Sequence, residues 1–80
     1  MRLDKFLKVS RLIKRRTVAA EACQSDRVLV NGREAKPSHA VKPGDVIEIT
    51  FGQRSLKVEV LEVKESARKE DAAALYREIG

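Results

Sequence analysis

Seven lysines and arginines stand within the first sixteen residues of this 80-residue chain: Arg2, Lys5, Lys8, Arg11, Lys14, Arg15 and Arg16, with one acid, Asp4, among them. The chemistry open to such a group is the neutralisation of a polyanion. At 100° per residue, Lys5, Lys8, Arg11, Arg15 and Arg16 fall on one side of a helix. A helix face that only keeps a protein soluble tends to mix signs at i and i+4, because stacked like charges repel. A stripe almost free of acids therefore makes sense where a phosphate backbone compensates the repulsion. The charge is also local: residues 1–16 carry +6 and residues 17–80 carry −1, out of a formal net +5.

Other reactive constellations are absent. His39 is the single histidine and Cys23 the single cysteine, so no Cys/His spacing suits zinc. No glycine-rich loop suits a nucleotide phosphate. The acids lie on alternating strand positions or near the C-terminus, where a solvated surface explains them. The sequence therefore points to a non-enzyme with no metal and no cofactor. One cysteine excludes an intramolecular disulfide and fits a reducing cytoplasm, and in an alanine-rich helix it reads as a small buried hydrophobe. No apolar run approaches the ~20 residues that span a bilayer, and the basic N-terminus lacks the apolar stretch of a signal peptide. A soluble cytoplasmic protein without a membrane partner is expected.

The elements that must position the stripe follow from periodicity. Leu3, Phe6, Leu7, Val9 and Ile13 share the helix face opposite the cations. A turn within "LIKRR" ends this helix, and Thr17 is expected to N-cap a second one over "TVAAEACQSD", with Val18, Ala19, Ala22 and Cys23 available for packing. That turn would set Arg15 and Arg16 beside the free N–H groups of the second helix. "RVLVNGREAK" reads as two short strands around Asn31-Gly32, a pair suited to positive φ. Pro43-Gly44 fits a type II turn. "VIEITF" alternates, with Ile47, Ile49 and Phe51 on one face, and "LKVEVLEVKE" alternates until a slip near residues 60 and 61 that a bulge would explain. "ARKEDAAALYREI" reads as a C-terminal helix. The class is α+β: two N-terminal helices, a small, mostly antiparallel sheet and a short C-terminal helix in one domain spanning 1–80.

With only 4% aromatic residues, the chain lacks the stacking platforms that single strands favour. Folded RNA, read through its shape and phosphates, fits better. No helix carries the Asn, Gln and Arg pattern of a DNA major-groove reader. Two other classes stay open on charge alone: an adaptor whose basic face docks an acidic protein, and an RNA-modifying subunit whose activity comes from a partner.

"RLDKFL", "KRRT", "RVLVNG", "KPSHAV" and "KPGDVI", in that order over residues 2–50, resemble the S-four-type RNA-binding domain, also called the αL motif. The resemblance implies that two helices and an adjoining hairpin form one RNA-binding surface. Its implied contacts are Arg2, Lys5, Lys8, Arg11, Lys14, Arg15 and Arg16, with Arg33 and Lys36 from the hairpin side. Asp4 matches the family's acid in "RLD" and is expected to hold a nearby cation in place. The extra strand and C-terminal helix, about 56–79, follow that core motif.

Because the domain fills nearly the whole chain, with "FGQ" and "AALYREIG" beyond the core, it is similar to the free-standing members of that family that serve ribosome-associated quality control. That implies large-subunit rRNA and peptidyl-tRNA as partners, with an RqcH-type tailing factor, for a protein monomeric off the ribosome. A related alternative is the heat-shock-type factor that recycles obstructed large subunits. Those proteins carry a longer basic C-terminal extension, whereas this chain reaches Gly80 through an acid-containing segment.

Overall fold

The computed structural model describes residues 1–25 and 27–80. Helices α1 (Leu3–Val9) and α2 (Arg16–Gln24) precede strands β1 (Val28–Val30), β2 (Arg33–Glu34), β3 (Val46–Phe51) and β4 (Arg54–Val60). A one-turn helix, α3 (Lys69–Ala72), a 3₁₀ turn (Ala73–Leu75) and strand β5 (Tyr76–Glu78) complete the order. The strands form one antiparallel sheet in the order β2-β1-β3-β4-β5. The expected α+β class holds. Among the described residues, no helix is long and apolar enough to cross a membrane.

The register explains the core. Val28 pairs with Ile49, Val30 with Ile47, and Ile47 with Val58, so these side chains project from one sheet face. They meet Leu3, Phe6, Leu7, Ile13, Ala19, Cys23 and Leu75, all buried. The apolar stripe of α1 thus packs inward and its cations face out.

The start of α1 takes no side-chain cap. Instead the loop before β3 satisfies it: the Leu3 and Asp4 N–H groups donate to the carbonyls of His39 and Pro37 at 2.8 and 3.1 Å. The irregular "KPSHAV" stretch therefore anchors the cationic helix, and His39 contributes its backbone carbonyl there. At the hairpin, Asn31 and Gly32 both have positive φ (54° and 81°), as the sequence requires. The Asn31 side chain also accepts the Val46 N–H at 2.9 Å and donates to Asp45 at 3.1 Å, tying the turn to β3. Gly44, at φ 96°, closes the expected turn with a bond from the Asp45 N–H to the Lys42 carbonyl.

Several expectations are corrected. Helix α1 ends at Val9, so the turn begins at Ser10 and Arg11, earlier than "LIKRR". Arg11 adopts φ 62° there, and the Arg11 and Ile13 N–H groups bond the Lys8 and Leu7 carbonyls, closing the last turn. Thr17 lies inside α2, whose N-cap is Arg15, without a side-chain cap bond. A hydroxyl cap contributes only ~1 kcal/mol, and the packing of Ala19 and Cys23 together with an Arg16 ion pair described below sets the helix start instead. The predicted helix also included Asp26, which lies outside the described residues. Val18 and Phe51 are about half exposed: Val18 is a step off the Ala19/Cys23 face, and Phe51 ends β3.

No bulge explains the slip at 60 and 61. Strand β4 simply ends at Val60, and the Leu61 N–H turns to the Leu75 carbonyl at 2.8 Å. Tyr76–Glu78, expected to be helical, is strand. Four residues of α3 are too few to propagate a helix, whereas the open edge of β4 offers backbone partners. Val58 pairs with Glu78 and Val60 with Tyr76.

Candidate nucleic-acid interface

Asp4 is the hinge of the basic region. It points between the two helices and is 3% exposed. Its carboxylate accepts from Arg2 Nε at 3.1 Å, Arg2 Nη2 at 3.3 Å and the Lys5 N–H at 2.8 Å, and it pairs with Arg16 Nε at 3.5 Å. One buried acid therefore ties an arginine before α1 to an arginine opening α2. Burial alone would raise its pKa, but the Arg2 hydrogen bond, the charges of Arg16 and Arg2, and the Lys5 N–H outweigh it and hold the carboxyl below its ordinary value. Both guanidiniums keep about half of their surface in solvent. The expected pairing of Asp4 with nearby cations is present, with two partners.

The remaining cations divide by position. Lys5, Lys8, Arg11, Lys14 and Arg16 line one open cleft of about 720 Å³. The left-handed turn at Arg11 lets one end of this row fold back toward Lys14. The opposite wall is a segment that sequence reading did not place here: Glu65, Ser66, Ala67 and Lys69. Val63 and Ala67, partly buried against the core, seat that segment beside α1. Lys5 pairs with Glu65 across the cleft mouth, and the Lys5 hydrogen bond and charge hold the Glu65 carboxyl below its ordinary value. Among the described residues, Lys8, Arg11 and Lys14 make no ion pair.

Arg2 and Lys36 meet elsewhere, in a second groove between α2 and residues 34–38. Asp4 joins the two regions through its bonds to Arg2 and Arg16. Arg15, the N-cap of α2, and Arg33, on exposed edge strand β2, are exposed but line neither groove. Helix phase gave access to Lys5 and Lys8 on α1, whereas Arg11, Arg15 and Arg16, expected on the same helix, lie beyond its end at Val9. No local sequence signal brought Ser66 or Lys69 to the cleft, because only the return of the chain after β4 does so.

Cys23 is 3% exposed, as expected of a small hydrophobe. Burial, with a smaller contribution from the Asp4 charge, pushes its thiol up to about 11, so it stays protonated and unreactive at neutral pH.

What this arrangement does chemically is present row upon row of solvated cations, two of them oriented by a buried acid, to an extended anion. Comparison with known proteins gives the chain's family. Residues 1–47 match the S4 domain family. Over 76 residues the chain is 59% identical to a Halalkalibacterium halodurans protein named RQC P-site tRNA stabilizing factor, covering 95% of this chain and 86% of that one. A heat shock protein 15 homolog of Aeromonas salmonicida is 36% identical over 98% of this chain, but only 59% of that longer protein is covered. The trimeric structure of Vibrio cholerae Heat Shock Protein 15 superposes with a TM-score of 0.92 at 32% identity, over 99% of this chain and 81% of that one. The chain belongs to the S4 domain family and, within it, groups with the RQC P-site tRNA stabilizing factors.

Proposed function

We propose that this chain is a non-enzymatic, RNA-binding factor of ribosome-associated quality control in the cytoplasm. It binds the obstructed large ribosomal subunit through rRNA and peptidyl-tRNA, and supports the addition of a C-terminal alanine tail by an RqcH-type partner. It forms no bond itself; it holds one arrangement of RNA by neutralising phosphates along two grooves. The carrying observation is that five cations share one cleft while buried Asp4 ties one of them, Arg16, to Arg2 of the second groove. The proposed contacts are Arg2, Lys5, Lys8, Arg11, Lys14, Arg15 and Arg16, with Arg33 and Lys36 at the hairpin side.

The name and 59% identity of the Halalkalibacterium relative support the quality-control role. A heat-shock-type role in recycling obstructed subunits has the TM-score of 0.92 in its favour. The two readings share the RNA face and part over the tailing factor. Both predict comigration with the large subunit in a sucrose gradient of gently lysed, stall-induced cells. Arg16→Ala should lose that comigration while melting only a few degrees below wild type, since Arg2 and the Lys5 N–H still satisfy the buried Asp4 carboxylate. Migration only with free protein at low salt would refute a ribosomal target. Alanine tails that persist undiminished after deletion would favour the heat-shock reading.

A further inference from the structure

The cationic cleft contains one feature that works against binding an anion. Glu65 stands at its mouth with 80% of its side chain exposed, and its carboxylate sits on the Lys5 ammonium, 60 residues away in sequence. Lys5 is the less exposed partner at 33%, so the pair covers one of the cations that line the cleft. Val63 and Ala67 pack against the core on either side of Glu65, which places it there by the fold. A carboxylate and a phosphodiester carry the same single charge and offer the same kind of acceptor oxygens. Glu65 thus occupies the place an RNA phosphate would take.

We propose that Glu65 is an internal counter-ion, held on Lys5 in the free protein and displaced by an RNA phosphate when the cleft fills. This rests on the RNA-binding reading of the cleft and adds its regulation. In the free protein, Glu65 relieves repulsion between Lys5 and Lys8, which lie three residues apart on one helix. On binding, the carboxylate must leave Lys5, so the ion pair subtracts from affinity and weak or isolated anions compete poorly. The segment 65–69 then joins the interface, with Ser66 and Lys69 facing the bound strand across the cleft.

The test is equilibrium binding of bulk tRNA at low salt by wild type, Glu65→Gln, Lys5→Ala and the double variant. Glu78→Gln, on exposed strand β5 outside the cleft, controls for the change in net charge. Glu65→Gln should bind about two- to fivefold more tightly, the scale of one exposed ion pair. Glu78→Gln should gain less, and in the Lys5→Ala background removing Glu65 should gain no more than Glu78→Gln does. Equal gains from Glu65→Gln and Glu78→Gln, or a Glu65→Gln gain that survives loss of Lys5, would overturn the counter-ion. An Arg16→Ala arm separates the two levels: if it and wild type bind tRNA alike, the RNA-binding reading fails and the counter-ion falls with it. If Arg16→Ala weakens binding while the Glu65 gain is missing, only the counter-ion is wrong.

Discussion

Asp4→Ala should weaken binding to structured RNA roughly tenfold, about 1.4 kcal/mol, although it removes a negative charge from a surface meant for phosphate. Coulomb attraction alone predicts the opposite sign, because the net charge rises by one. Loss is expected because Asp4 fixes the fork of Arg2 and the Nε edge of Arg16. Freed, both long side chains must be ordered again by the RNA, at an entropic cost on the order of 1 kcal/mol each. The same substitution should destabilise the fold by about 2 kcal/mol, the scale of hydrogen bonds to a charged group. Both guanidiniums can turn to water, which limits the damage. Anisotropy titration with tRNA and a melting curve measure the two effects. Tighter binding by Asp4→Ala would show that Asp4 is merely a repelling charge.

This contribution carries a pH signature. The Asp4 carboxyl is held below its ordinary value in the folded protein, so its stabilisation is complete above the unfolded-state pKa, roughly 3.9. It disappears as pH falls further, through the lowered folded value. The difference in melting temperature between wild type and Asp4→Asn should therefore be constant near neutrality and shrink in acid.

Leu7→Ala should have the largest effect on stability. Leu7 is fully buried on the apolar face of α1, directly beneath the cationic row. Removing a buried leucine side chain to Cβ costs about 3 kcal/mol through lost transfer and the cavity left behind. An 80-residue domain has little to spare, and a loss of that size lowers Tm by roughly 15–20 °C. RNA binding should fall with the folded fraction, in contrast to Arg16→Ala, which should leave the protein folded because Arg2 and the Lys5 N–H still satisfy Asp4. A Leu7→Ala protein melting like wild type would mean that α1 does not bury this face.

The sequence was legible where one local cause dominated. Period 3.6 separated Leu3, Phe6 and Leu7 from Lys5 and Lys8 because one face has the sheet to bury against. Asn31-Gly32 and Pro43-Gly44 announced their turns because few other residues accept those backbone angles. Period 2 placed Ile47 and Ile49 inward but misplaced Phe51, which ends β3 in an open groove beside Val18 and Ala22 of α2 and stays half exposed. Thr17 misled for a related reason: a good cap residue loses to Arg16, which must sit within reach of Asp4. At Tyr76–Glu78, local composition favoured helix, yet the unpaired edge of β4 decided for strand.

The candidate surface was legible in its cations and not in its geometry. Charge spacing grouped Lys5, Lys8, Arg11 and Arg16, which do share a cleft with Lys14, but also Arg15, which lines neither groove. It could not show that Arg2 and Lys36 form a separate groove, or that Arg33 stands apart from both. Nor could it show Glu65 and Lys69 facing α1, because that meeting depends on how the chain returns after β4.

On the proposed function, this face binds RNA by neutralising phosphates. Affinity for bulk tRNA, titrated over salt concentration, measures that directly. With the five cations of the cleft engaged, log K should fall linearly with log salt at a slope of roughly −4, from about −0.7 to −0.9 per contact. Arg16→Ala should bind more weakly and lose about one contact from that slope. A slope near zero, or an Arg16→Ala protein with wild-type affinity and slope, would contradict the claim.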